Sequence, residues 1–199
     1  MQTTKERILS AVIEYIKDDT NLESITLSKI AEKAQIGKST VYEHFASKED
    51  LIIETYQYLL EHYRSILTKD LSGLSFKDQF IEQVKHILVV MMDAKTIIDG
   101  IMNNKDTLAN IGKTIEDKVK CIQDEMEQRF LSIFTKGVEE GVVPLQQPKP
   151  YQPNVIQAII SGLLYQYANG MMTIEKEVLY ELVYENVLMV IKCRQKVDF

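Results

Sequence analysis

The sequence predicts an all-α protein, and three observations carry that reading. Only 8 Gly and 4 Pro occur in 199 residues, too few turn formers for many short strands. Apolar residues recur at helical spacing along most of the chain. No two runs alternate in the way a hairpin requires, and the Val142-Val143 step is too short for a strand. With 45% hydrophobic and 26% charged residues, the composition is globular and allows a sizeable core.

The elements follow in order. Thr3-Thr4-Lys5-Glu6 reads as a capping box, in which hydroxyl and carboxylate satisfy each other's backbone N–H groups. Ile8, Leu9, Val12, Ile13 and Ile16 then mark a helix to about Lys17. Asp18-Asp19-Thr20-Asn21 is a loop. Thr26 caps a short helix with Leu27, Ile30, Ala31 and Ala34 inward, Gln35-Ile36-Gly37 is a turn, and a second short helix spans about Lys38 to His44. Ser47 opens a long helix to about Leu67. Gly73 and a cap at Ser75 mark a break. Helical patterns follow at about 76–93, 96–104, 106–140, 153–171 and 175–195. Gly141 is a C-terminal stop. The extended stretch Val142 to Gln152 contains Pro144, Pro148 and Pro150, and Pro153 suits a first helical turn.

The stretch Ile25 to Phe45 has the spacing of a helix-turn-helix. Ala31 and Ala34 are small where two helices would cross, and Ile30, Ile36, Val41 and Phe45 would close the core. At ~100° per residue, Val41 and Phe45 define the inward side of the second helix. Ser39, Thr40 and Glu43 then share the opposite face, flanked by Tyr42 and His44. A small polar face of this kind suits insertion into a major groove. Thr26, Lys38 and Lys48 sit at helix starts, where hydroxyl, ammonium and backbone N–H groups favour phosphate. Plainer roles stand beside these: Thr26 and Ser47 as caps alone, Tyr42 or His44 as packing residues, Glu43 as a solvated carboxylate.

Bulk charge does not help. The chain carries −6, and residues 1–50 hold seven Lys/Arg against nine Asp/Glu. Any DNA affinity must come from a local patch and a second copy, and should depend on salt. Cys121 and Cys193 are far apart and read as buried, reduced thiols. MQTTKERILS lacks an apolar signal core and no run is long enough to span a bilayer; the expectation is a cytoplasmic protein without membrane contact. An enzyme is disfavoured. His44, His62 and His86 are the only histidines, and no HExxH, GxSxG or P-loop pattern occurs. Glu82 and His86 lie four apart, which reads as a helix-surface pair. No cofactor is called for.

Thr26, Ile30-Ala31, Ala34, Ile36, Thr40-Val41-Tyr42, His44-Phe45, Lys48-Glu49 and Leu51 together resemble the TetR family of bacterial regulators. The Lys136 to Gly141 stretch is weakly similar as well. Three positions depart from the family pattern: Gln35 where Gly is usual, Gly37 where a small hydroxyl residue is usual, and Ser39 where Gly is usual. A left-handed Gln35 would cost roughly 1 kcal/mol relative to Gly. The resemblance implies about nine helices. An N-terminal three-helix DNA-binding domain at 1–50 would precede a larger helical effector-binding and dimerisation domain at 51–199. It implies DNA contacts from Thr26, Gly37, Lys38, Ser39, Thr40, Tyr42, His44 and Lys48 to a palindromic operator. It implies a homodimer through about 153–171 and 175–195, where Val155, Ile159, Leu163 and Tyr167, and Val178, Leu182, Val187 and Ile191, recur at helical steps. It further implies repression relieved by a small apolar or amphipathic effector, for which Phe80, Met91, Met92, Met102, Met126, Phe130, Phe134 and Tyr165 are candidate lining. The alternatives are control by a protein partner, no effector, or a helical protein-interaction module.

Overall fold

The computed structural model describes residues 2–18, 22–102, 112–145 and 150–192. These residues form eight α-helices and no strand. They are α1 (Thr4–Lys17), α2 (Leu27–Lys33), α3 (Lys38–His44), α4 (Lys48–Leu67), α5 (Phe76–Met102), α6 (Gly112–Glu139), α7 (Gln152–Ala168) and α8 (Lys176–Lys192), with one 3₁₀ turn at Leu22–Ser24. The two helices expected at 76–93 and 96–104 are one. The residues between those two patterns, Ala94 and Lys95, include neither Gly nor Pro, and Ala and Lys are good helix formers, so nothing stops α5 there. Helix α7 ends at Ala168, short of the expected 171, because Gly170 takes a positive φ of 68°. Cys121, expected to be buried, is exposed on α6, and Cys193 lies outside the described residues.

By packing, the chain divides into two compact units. One is Met1–Ser65 with Asp93–Asp124, and the other is Ile66–Met92 with Glu125–Phe199. In the first, Ile8, Val12 and Ile16 of α1 are buried along one face. Ile30, Ala31, Val41, Phe45, Leu51 and Tyr56 belong to the same unit's buried set. In the second, Phe76, Phe80, Val84 and Leu88 of α5 join Ile133 of α6, Leu164 of α7 and Leu179, Val183 and Val187 of α8.

The helix ends are closed by specific bonds. Thr3 and Glu6 form the capping box. The Asp50 and Asp78 N–H groups donate to Ser47 and Ser75 Oγ at 3.0 and 3.2 Å. The Glu140 carboxylate, from the end of α6, accepts from the Phe76 N–H at the start of α5.

Three helices end in the same paired turn, with a 6→1 and a 5→2 hydrogen bond around a left-handed residue. After α6 that residue is Gly141, with Val142 N–H donating to Gly137 O at 2.9 Å and Gly141 N–H to Val138 O at 3.0 Å. After α7 it is Gly170, with the equivalent bonds from Met171 and Gly170. After α2 it is Gln35 at φ 56°, with Ile36 N–H donating to Ala31 O and Gln35 N–H to Glu32 O, both at 3.0 Å. Gly137, buried just before the α6 turn, is needed for a different reason. A Cβ there would lie 2.7 Å from Val143 Cγ2 and 2.8 Å from Phe76 Cδ2.

Candidate nucleic-acid interface

Helix α3 presents the face that its spacing requires. Val41 and Phe45 are buried, at 0% and 2% exposed. Lys38, Ser39, Tyr42, Glu43 and His44 are exposed and Thr40 is half-buried. Tyr42 is a large aromatic residue at 54% exposure, so its ring is not spent on the core. His44 is likewise exposed, its ring merely tilted against that of Phe45 at 6.3 Å.

The turn before α3 is held from outside. The Arg7 guanidinium, on α1, donates to Ala34 O at 2.7 Å and to Gln35 O at 3.1 Å. Those bonds satisfy carbonyls at the end of α2. They also brace the left-handed Gln35, a seat that the other two paired turns give to glycine. Sequence spacing gave no sign of this contact, which joins residues 27 and 28 apart.

Thr26 is the N-cap of α2 and accepts from Lys29 N–H at 3.3 Å. Its cap role is therefore real, and the residue remains exposed. Gly37 is the N-cap of α3 in extended backbone and offers no side-chain cap. Lys48 is the first residue of α4 and half-buried.

Several carboxylates in this unit are matched by its own lysines. Lys33 meets Glu14 at 3.3 Å and Asp18 at 3.5 Å. Burial alone would lower its ammonium, but the two carboxylates hold it above the ordinary lysine value. Lys17 meets Asp93 at 2.6 Å, and Lys5 pairs with Glu54. No ion pair of Lys38 is present among the described residues.

The candidate effector residues fall into three groups. Phe80, Phe130 and Phe134 belong to one aromatic cluster with Phe76 and Tyr184, with ring centroids 5.7 to 6.4 Å apart. Met91 packs on the same core, and Met126 Sδ lies 3.5 Å from Gln83 Nε2, which also donates to Leu67 O at 3.0 Å. Met92 and Tyr165 stand apart, at 45% and 54% exposed. Tyr165 shares the outer side of α7 with Val155 instead of facing the aromatic cluster. The Met102 side chain lies outside the described residues. An open groove of about 700 Å³ is lined by Asp70, Ser72, Arg129, Lys136, Glu140 and neighbours. Its lining is polar, unlike the apolar space expected of an effector site.

A short exposed polar helix, set on α1 and α2 by a braced turn, has the build of a helix-turn-helix. Residues 19–55 match the family described as bacterial regulatory proteins, tetR family. That match covers the helix-turn-helix and the first part of α4.

It is 24% identical over 171 residues to the HTH-type transcriptional regulator UidR of Escherichia coli K12, covering 86% of this chain and 81% of that one. Among solved structures it resembles a putative TetR-family regulator from Vibrio parahaemolyticus (TM-score 0.65, 18% identity, 95% and 98% of the two chains). It also resembles FadR from Bacillus subtilis, solved in complex with stearoyl-CoA (TM-score 0.57, 16% identity, 94% and 97% covered). These two likenesses are of fold. Among the described residues no helix is long and apolar enough to cross a membrane, and no group of three or more His, Cys, Asp or Glu could hold a metal ion.

Proposed function

We propose that the protein is a dimeric repressor that binds a palindromic operator through α3 and is released by a small apolar or amphipathic effector. The observation that carries the DNA part is the exposure of Lys38, Ser39, Tyr42 and His44 on α3, opposite the buried Val41 and Phe45. Ser39 and Thr40 would meet base edges. Thr26, Gly37, Lys38, Tyr42, His44 and Lys48 would hold phosphates, which position the helix without reading sequence. Residues 1–50 are then the reading domain and 51–199 the domain for effector and partner, a functional division that need not coincide with packing.

Dimerisation is supported by the outer faces of α7 and α8. Val155, Tyr165, Val178, Leu182 and Met189 are exposed there at 36% or more, an apolar surface of the kind that partners cover. Val187 and Ile191, grouped with them by helical recurrence, lie about 180° around α8 from Val178 and Leu182; they are 1% and 7% exposed and serve the intrachain core. The effector reading draws on Phe80, Phe130, Phe134 and Met91 of the apolar core and on Met126 beside Gln83; on α5, Gln83 Oε1 and His86 Nδ1 are buried without protein hydrogen-bond partners among the described residues. Pockets combine apolar walls with a few polar points. Effector binding would shift the two recognition helices of a dimer away from the ~34–36 Å groove repeat.

The test is selection of duplexes from a random library, followed by gel shift. The unaltered protein should select a palindrome and bind it as a dimer. Tyr42→Ala and Lys48→Ala should fold and lose that binding. A folded dimer that prefers no sequence over random DNA would overturn the reading.

A further inference from the structure

Asp93, on α5, uses both carboxylate oxygens on other helices. Oδ1 accepts from Lys17 Nζ at 2.6 Å and Oδ2 from the Tyr63 hydroxyl at 2.9 Å. Lys17 is the last residue of α1 and Tyr63 lies on α4. Asp93 is also the residue at which α5 begins to count with the first compact unit. One carboxylate thus ties three helices that are far apart in sequence.

The two halves of the tie differ in character. The Lys17 side chain is 41% exposed and that of Asp93 is 36% exposed, so the ion pair alone would be weak. Tyr63 is 6% exposed, so its hydroxyl is a fixed point. Burial would raise the Asp93 carboxyl, yet the Lys17 ammonium and Tyr63 hydroxyl hold it below the usual carboxylate range. A charge-assisted bond to a rigid phenol orients the carboxylate, and the oriented carboxylate places the Lys17 end of α1.

What α1 carries makes this consequential. Its Arg7 braces the turn before α3. The Tyr15 hydroxyl donates to Lys29 O on α2 at 3.4 Å, and Lys33 of α2 pairs with Glu14 and Asp18. The other faces of α1 are thus bonded to the helix-turn-helix along its length, while its C-terminal end is bonded to α5 through Asp93.

We propose that Asp93 is a positioning residue for DNA binding, through which α5 holds α1 and so the recognition helix in their DNA-competent arrangement. It touches no DNA. A displacement of α5 that separates Asp93 from Lys17 and Tyr63 would loosen the base on which α3 rests. The inference depends on DNA binding by α3 but not on any effector.

The test uses the full chain and a duplex selected by the unaltered protein, with fluorescence anisotropy for affinity and circular dichroism for melting. Asp93→Ala should weaken binding by about five- to tenfold, at the low end of site-to-site couplings, with a modest fall in melting temperature as the buried Tyr63 hydroxyl loses its acceptor. Lys17→Ala and Tyr63→Phe should each weaken it less, in the same direction. In the Asp93→Ala background, removing Lys17 should do nothing more. If the Lys17 and Asp93 effects simply multiply, Lys17 acts on DNA by its own charge and the proposal is overturned. It is overturned too if binding is unchanged or tightened in the variants. Should Asp93→Ala fail to fold, Lys17→Ala and Tyr63→Phe decide alone, with unchanged affinity in both rejecting the tie. If the unaltered protein selects no duplex, it is the DNA-binding reading that fails.

Discussion

The helix-turn-helix and the aromatic interior of the second unit are built from opposite materials. In the first, the residues with chemistry stand outside, on two seven-residue helices, and local caps and a braced turn fix where they point. In the second, Phe76, Phe80, Phe130, Phe134 and Tyr184 come from three helices and serve each other as packing. The lesson is that an exposed site separates binding from stability, because removing a surface side chain leaves the core intact. A buried site does not, since its lining is also the fold.

That contrast makes unequal predictions. Phe80→Ala should have the largest effect, a loss of ~3–5 kcal/mol in chemical denaturation, because the ring is fully buried and leaves a cavity. If stability were little changed and only an effector response disappeared, those rings would line a space rather than fill a core, and the contrast would break. Tyr42→Ala should lose roughly 1.5–3 kcal/mol of DNA binding, the range for hydrogen bonds to charged groups. Its melting temperature should stay put; a large fall would show that Tyr42 serves the core after all.

Gln35→Gly probes the left-handed turn before α3 and should stabilise the protein by about 0.5–1 kcal/mol, since Gly accepts the left-handed conformation but loses more entropy on folding. The Arg7 bonds go to backbone carbonyls, so DNA binding should survive the change.

The smallest effect concerns His86 in the second unit. Burial lowers its imidazole from 6.5, aided by Lys69, Arg129 and Lys85 and opposed by Glu82. Between the two values the unfolded chain binds the extra proton, so stability is kept above about pH 6.5 and declines as pH falls below it. His86→Gln should flatten that decline in melting curves taken across the same range.

Legibility followed the same divide. Caps at Thr3, Thr26, Ser47 and Ser75 were readable because each bond closes within three residues. The inward placement of Val41 and Phe45 and the outward one of Ser39 and Tyr42 follow from helical angle alone. The left-handed Gln35 was legible only through the resemblance, which has Gly at that position.

Contacts set by tertiary packing were not readable. Asp93 meets partners 30 and 76 residues away, and nothing in Met91-Met92-Asp93-Ala94 marks it from any solvated acid. Arg7 likewise looks like an ordinary surface base of an amphipathic helix. In the second unit, composition identified Phe80, Phe130 and Phe134 as apolar aromatic residues, but spacing could not distinguish a filled core from a ligand space. Helical angle sets Val187 and Ile191 on the side of α8 opposite Val178 and Leu182, but both sides are apolar, so spacing could not say which of them faces the intrachain core.

Gly137 offers a genetic handle on the regulator. Its missing Cβ lets Val143 and Phe76 approach the α6 backbone, far in sequence from every residue proposed to touch DNA. Overpacking of this kind costs about 1–3 kcal/mol, and each such unit lowers melting of a chain this size by roughly 2–4 °C. A Gly137→Ala allele would therefore be conditional. Cells grown cool would keep the regulator, and warming would withdraw it without altering either surface by which it is proposed to act.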